Sequence, residues 1–155
     1  MTTITVFSDL HEKYIPPALL AVAEESDRIF FLGDGAARLG ELAAHGGFAA
    51  VRGNCDSLPL PEETVTEAEG VKILLTHGHA YGVKSGLLAL SYRARELGCP
   101  LVFYGHTHFA DVTECDGVTL VNPGALSRPL SGTPSYAYAV VNKGKFVVKT
   151  VPCPF

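Results

Sequence analysis

The chain of 155 residues is 47% apolar and 18% charged, and its 12 Lys+Arg against 16 Asp+Glu leave a formal charge of −4. Such a composition belongs to a globular chain and not a disordered one, and the length suits one compact domain over residues 1–155. The mild acidic balance disfavours a surface for sequence-independent nucleic-acid binding, which needs a strong basic excess, although a local basic cleft stays compatible with it.

At the N-terminus, Met1 runs into Thr-Thr-Ile-Thr-Val-Phe with no basic n-region and no long apolar h-region. No stretch of roughly 18 apolar residues follows, so neither a signal peptide nor a membrane span is expected. Residues 4–7 form a β-branched and aromatic run that stops at Ser8-Asp9, the pattern of a buried strand delivering Asp9 and His11 to a loop. Pro16-Pro17 opens a helix over 18–25, since proline fits a first turn. Residues 29–32 read as a second buried strand ending in Gly33-Asp34-Gly35. Residues 36–44 read as a helix closed by Gly46-Gly47, and 48–51 as a third strand ending at Gly53-Asn54-Cys55-Asp56.

After a proline-bearing loop, 63–68 and 71–76 form a hairpin turning near Glu69-Gly70, and its second strand ends in His77-Gly78-His79. The longest helix is expected over 84–97, with Leu87, Leu88, Leu90 and Leu97 available for packing. Residues 101–104 are another strand, ending in Gly105-His106-Thr107-His108. Two more hairpins turn at Asp116-Gly117 and Lys143-Gly144. Strand–helix alternation followed by hairpins predicts an α/β fold with a mixed sheet system covered by helices. Its five apolar strands each end in a loop of Asp, Asn, His and Gly, the place where open α/β sheets bind ligands.

Six histidines stand at 11, 45, 77, 79, 106 and 108, and all but His45 fall in these loops beside Asp9, Asp34, Asn54 and Asp56. Imidazole and carboxylate together suit Zn, Mn, Fe, Co or Ni. A single strand-end Asp is usually a turn former, and a single His a surface or satisfied core residue. The gathering of so many in one set of loops favours ligands. His45, beside Gly46, is expected to serve a helix C-terminus. The cysteines at 55, 99, 115 and 153 show no CxxC spacing and read as reduced thiols of a cytoplasmic protein.

Asp9-Leu10-His11, Gly33-Asp34, Gly53-Asn54-Cys55-Asp56, Thr76-His77-Gly78-His79 and Gly105-His106-Thr107-His108 resemble, in order and approximate spacing, the five blocks of calcineurin-like metallophosphoesterases. No block is specific alone; the five in order are. Asn122-Pro123-Gly124 and the closing hairpins are similar to the small YfcE-like phosphodiesterase branch. The resemblance implies two mixed β-sheets packed as a sandwich and flanked by helices, in four αββα layers. It also implies two divalent metal ions, manganese foremost. Asp9, His11, Asp34 and His108 would hold the first ion, and Asp34, Asn54, His77 and His106 the second, with Asp34 bridging. Asp34, Asn54 and His77 would carry the catalysis, in which a water or hydroxide activated between two cations attacks a phosphate ester, a diester foremost.

Three positions depart from the family pattern or lie outside it. Cys55 stands where many larger relatives carry a His that protonates the leaving group, and the favoured reading of this thiol is space-filling. Ala125 replaces a common Ser, and Arg128 is the nearest downstream cation, available to a substrate phosphate or simply solvated. His79 lies outside the family's ligand set and reads as substrate-facing or structural in equal measure. Tyr81, Lys84 and Tyr104 stand close to ligand blocks. The expected partner is a small phosphate ester in a shallow cleft without a cap domain. A phosphomonoesterase, a nuclease and a non-catalytic scaffold on the same fold are the alternatives; the filled ligand set favours an enzyme. Self-association is left open.

Overall fold

The computed structural model describes residues 1–153. Its elements in chain order are β1 (Thr2–Phe7), α1 (Pro17–Glu25), β2 (Arg28–Phe31), β3 (Phe48–Ala50), β4 (Glu63–Ala68), β5 (Val71–Thr76), α2 (Leu88–Leu97), β6 (Leu101–Phe103), β7 (Asp111–Cys115), β8 (Val118–Asn122), β9 (Ser135–Asn142) and β10 (Lys145–Pro152), with short 3-10 turns between them. The strands form two five-stranded sheets, ordered β10-β9-β1-β2-β3 and β4-β5-β6-β8-β7. Within the first, β1, β2 and β3 run parallel, and β9 is antiparallel to both of its neighbours, β1 and β10. Within the second, β5, β6 and β8 run parallel, with β4 and β7 as antiparallel edges.

Side-chain alternation explains the layering. Successive residues of a strand face opposite sides, so Phe30 and Leu32 join Ile4 and Val6 in the space between the sheets, against Ile73, Leu75, Phe103 and Val121. Ile29, Phe31 and Phe7 face the other way and pack on Leu19 and Ala23 of α1. Leu74, Val102 and Leu120 mirror them on the outer face of the second sheet, against Leu90 and Ala94 of α2. The central strands are covered on both faces, which is why they read as continuous apolar runs. Full burial of each large side chain contributes about 1.5–3 kcal/mol. Thr5 is the polar exception on the α1 face: it is fully buried, and its hydroxyl shares a 2.6 Å hydrogen bond with Ser26 Oγ. The αββα sandwich matches the expected fold class.

Two helical expectations are corrected. Residues 36–44 are not one helix but two 3-10 turns, Ala36–Arg38 and Gly40–Ala44. Gly40, where the second begins, has φ +59°, which no continuous right-handed helix accommodates. The helix expected over 84–97 begins only at Leu88, because Gly86 adopts φ +139°, and Lys84 lies in a separate 3-10 turn, Val83–Ser85. His45 does stand at a helix C-terminus, as the residue that closes the second 3-10 turn: its backbone N–H donates to the Leu42 carbonyl at 3.0 Å, and its Nδ1 accepts the N–H of Gly47 at 2.9 Å.

Candidate metal centre

All five ligand-bearing loops meet along one rim, at the C-terminal ends of β1, β2, β3, β5 and β6. Backbone conformation there is unusual. Among the described residues nine non-glycines have positive φ, and six of them, Asp9, His11, Asp34, His106, His108 and Arg128, belong to this rim. Left-handed backbone costs a residue with a Cβ roughly 1–2 kcal/mol, and it turns each loop sharply enough to aim consecutive side chains inward. Glycines admit the close approach. A Cβ on Gly53 would fall 2.1 Å from Asp34 Oδ1, and one on Gly105 would fall 2.2 Å from Ser8 Oγ and 2.9 Å from Asp9 Oδ2.

Both carboxylates are buried and held by one oxygen each. Asp9 Oδ2 accepts from Ser8 Oγ at 2.9 Å and from the His106 N–H at 3.1 Å. Asp34 Oδ1 accepts from the Cys55 N–H at 2.8 Å. The other oxygens face imidazole nitrogens. Asp34 Oδ2 lies 3.3 Å from His77 Nε2 and 3.8 Å from His11 Nε2. Asp9 Oδ1 lies 3.3 Å from His108 Nε2, 3.8 Å from His77 Nε2 and 3.9 Å from His11 Nε2. Despite this crowd, Asp9 Oδ1 has no hydrogen-bond partner among the described residues. Burial pushes the Asp34 pKa up, but His77 and the Cys55 N–H outweigh it and hold the carboxyl at about 2.

The imidazoles are fixed from behind. His77 Nδ1 lies 2.8 Å from the Leu32 carbonyl and His108 Nδ1 lies 3.0 Å from the Arg128 carbonyl. A carbonyl only accepts, so each Nδ1 carries the proton and each Nε2 presents a lone pair inward when the ring is neutral. Each of these nitrogens faces another imidazole: His77 Nε2 stands 3.2 Å from His106 Nδ1, and His108 Nε2 stands 3.4 Å from His11 Nε2. Burial lowers the pKa of His77, yet Asp34 and Asp9 overcome it and leave the pKa raised. Asp9 likewise raises His108 against its burial. For His106, burial together with His77 and Lys84 produces the opposite, downward shift.

A buried carboxylate oxygen without a donor, facing several imidazole nitrogens, is the donor set of a cation site. The ligand atoms of Asp9, His11 and His108 lie within 4.8 Å of one another, as do those of Asp34, His77 and His106, and those of His11, Asp34 and Cys55. The residues present therefore fit a metal, and Asp34 belongs to two of these groups.

The remaining expected site residues divide. Asn54 is exposed on the adjacent loop, with its side-chain N–H on Cys55 Sγ at 3.7 Å. Cys55 is exposed at the mouth, and burial and the neighbouring Asp34 push its thiol pKa up. His79 sits beside the centre, its ring 5.5 Å from that of His77, with a buried Nδ1 that has no hydrogen-bond partner. The Arg128 side chain points away to Glu12, at 3.5 Å, and it is the Arg128 carbonyl that reaches the site. Tyr81 spends its hydroxyl on Glu63 and Tyr104 is buried, whereas Lys84 lines a cleft beside His106 and His108.

Sequence reasoning missed the supporting residues. Asp56 accepts four backbone N–H groups, from Asp34 and Gly53 on Oδ2 and from Gly35 and Ala36 on Oδ1, all within 3.0 Å. It thereby clamps the β2 and β3 loops together. Asn122 donates to the Gly105 carbonyl and to Thr107 Oγ1, backing the β6 loop. Its place in Asn122-Pro123-Gly124 was a usable signal, as was that of Asp56 inside a ligand block; nothing in the sequence marks the Leu32 and Arg128 carbonyls.

A metal-ligand rim built where two facing sheets end defines a metallophosphoesterase-type centre. The calcineurin-like phosphoesterase superfamily domain matches residues 2–144, and the chain belongs to this family. It is 38% identical over 104 residues to the probable metallophosphoesterase YsnB of Bacillus subtilis, covering 66% of this chain and 62% of that one. It is 32% identical over 85 residues to a phosphodiesterase of Methanocaldococcus jannaschii, covering 52% and 45%. The chain spans less than two thirds of the length of these relatives. A conserved Streptococcus pneumoniae protein, a predicted phosphoesterase, superposes with a TM-score of 0.80 at 29% identity over 97% of this chain and 89% of its own. Vps29 of Chaetomium thermophilum shares the fold, with a TM-score of 0.79 at 19% identity over 98% of each chain. Among the described residues no helix is long and apolar enough to cross a membrane.

Proposed function

We propose that this chain is a metal-dependent phosphodiesterase working from a dinuclear centre in one domain, residues 1–155, in the cytoplasm. The observation that carries the reading is the buried, donor-free Asp9 Oδ1 with three imidazole Nε2 atoms within 3.9 Å of it. Asp9, His11, Asp34 and His108 would hold one ion and Asp34, Asn54, His77 and His106 the other. Membership of Asp34 in two ligand groups supports the bridge. When bound, a pair of divalent cations supplies Lewis acidity and a hydroxide at neutral pH.

The chain's own contribution is preorganisation. Leu32 and Arg128 fix the ring orientation of His77 and His108, and Ser8 and the His106 N–H fix Asp9. Asp34 stays ionised across the working pH range. Imidazole and carboxylate ligands accept several first-row ions, and manganese is the proposed occupant. Two clefts flank the centre, of about 320 Å3 beside His11 and Cys55 and about 420 Å3 beside His106 and His108. Room on both sides supports a small diester over a monoester, and the similarity to a phosphodiesterase agrees with it.

The test is exhaustive chelation followed by elemental analysis and assay with bis(4-nitrophenyl) phosphate. Hydrolysis should vanish with the metal and return with Mn. Full activity in verified metal-free protein would refute the mechanism, and a rate on 4-nitrophenyl phosphate exceeding that on the diester would refute the substrate class.

A further inference from the structure

The two clefts differ in charge. The cleft beside His11 contains the carboxylates of Glu12 and Asp56, and its one guanidinium, Arg38, lies over the Tyr14 ring at 5.1 Å. The opposite cleft is lined by Lys84, His106, Thr107, His108 and Leu130 and contains no carboxylate. Lys84 makes no hydrogen bond or ion pair with another described residue. It is an ammonium without a counter-charge at the lip of the site, in a chain of net charge −4.

The fold places this lysine deliberately. Val83, immediately before it, is buried in the α2-side cluster and packs against Gly78, where a Cβ would fall 2.9 Å from Val83 Cγ2. Gly82 and Gly86, at φ +61° and +139°, bracket the turn that carries Lys84. Across the cleft the Leu130 N–H is tied to the His108 carbonyl at 2.8 Å, so an apolar wall is built onto the same loop.

We infer that the cleft between Lys84 and Leu130 receives one arm of the diester, and that this arm carries a second negative charge read by Lys84. The reasoning rests on the phosphodiesterase reading above. With the scissile phosphate over the ligand rim, its two ester oxygens direct their substituents to opposite sides. Only the Lys84 side offers an uncompensated cation with no carboxylate to repel an anion. Leu130 supplies contact for the carbon framework between the two charges. The substrate class is therefore a phosphodiester with a further phosphate or carboxylate on one arm.

The experiment compares diphenyl phosphate with its analogue bearing a carboxylate on one ring, titrated into zinc-loaded protein by NMR. The wild type should bind the carboxylated ester about three- to fivefold more tightly, the scale of one partly exposed charge pair. Lys84→Ala should bring the two affinities together, and Lys84→Arg should keep them apart. Equal affinities in the wild type, a preference that survives Lys84→Ala, or a weakening of both esters alike by Lys84→Ala would each overturn the assignment. The last result would place Lys84 on the central phosphate. Turnover separates this inference from the reading beneath it. A protein that prefers the carboxylated ester through Lys84 yet hydrolyses neither keeps the subsite and loses the phosphodiesterase. One that hydrolyses both with no Lys84-dependent preference does the reverse.

Discussion

Left-handed backbone occurs at both ends of the sandwich, in two different settings. At the end away from the ligand rim, the three non-glycine residues with positive φ are Glu69, Asp116 and Lys143, each followed by glycine in a hairpin turn. That is the pairing a two-residue hairpin demands, and little surrounds it. A Cβ on Gly117 or Gly144 would meet nothing within 4 Å. At the rim, six such residues crowd together, and five of them are proposed ligands or, in the case of Asp34, the proposed bridge. There the same conformation is held by packing and by buried hydrogen bonds, at Asp and His residues that tolerate it but of which only Asp34 is followed by glycine. Strain of this kind persists only where the surroundings over-determine it. The hairpin end shapes the chain; the rim end stores conformational energy in order to point charges at one another.

The widest separation between the two ends is expected for Asp34→Asn. It removes the charge shared by two ligand groups, and the hydrolysis rate should fall more than about 100-fold, beyond what loss of an orienting partner costs. Metal content should drop at both sites, whereas His77→Ala should empty one. Two tightly held ions in Asp34→Asn would show that the bridge is misassigned.

Glycine substitution compares the ends directly. Gly53→Ala drives a methyl against Asp34 Oδ1, and overpacking of this sort costs about 1–3 kcal/mol or more. It should also abolish metal retention. Gly117→Ala meets no atom and should cost about 1 kcal/mol through its positive φ alone, with metal content unchanged. Equal losses in urea denaturation would erase the distinction drawn between the ends.

Asp56→Asn is expected to act more mildly. One amide oxygen can serve two of the four N–H groups, so the clamp loosens without vanishing, and metal affinity should fall about 10- to 100-fold. The effect carries a pH signature. Burial raises the Asp56 pKa, but the N–H groups of Gly35, Gly53, Ala36 and Asp34 hold the carboxyl below its ordinary value. A depressed folded pKa means the stabilisation is complete above the unfolded value near about 4 and lost as pH falls through the folded one. Denaturation of metal-free wild type and variant should therefore run apart at pH 5 and converge toward pH 2. Curves that stay parallel throughout would remove Asp56 from the clamp.

The smallest effect is expected at Cys55, at the exposed mouth. Its raised thiol pKa makes it a poor proton donor, so Cys55→Ala should change hydrolysis of nitrophenyl diesters by less than about twofold. The informative quantity is the dependence of rate on leaving-group pKa. A steeper dependence in Cys55→Ala than in wild type would identify the thiol as a general acid.

The same contrast explains what was legible in the sequence. Hairpins at Glu69-Gly70, Asp116-Gly117 and Lys143-Gly144 announce themselves because turn chemistry is local. Buried strands do too, because burial on both faces leaves continuous apolar runs. The ligand loops were legible as residue types in order. What escaped depends on main-chain atoms and distant neighbours. The carbonyls of Leu32 and Arg128 orient two imidazoles regardless of their side chains, and Arg128 was valued for a guanidinium that in fact pairs with Glu12. The helix expected over 36–44 is broken at Gly40, whose positive φ no helical periodicity in the sequence announces.

The strand order also has a consequence for synthesis. β1, made first, is central in its sheet and needs β9, made near the end, as its antiparallel neighbour. Asp9 is further secured when its carbonyl receives the Ser127 N–H and when the Ser8 carbonyl receives that of Leu126. A nascent chain extended only through β8 holds every proposed ligand but lacks the strand and the two main-chain bonds that seat the first of them. Such long-range closure is slow to form. The donor set therefore leaves the ribosome well before the strand and the two main-chain bonds that shape its first loop.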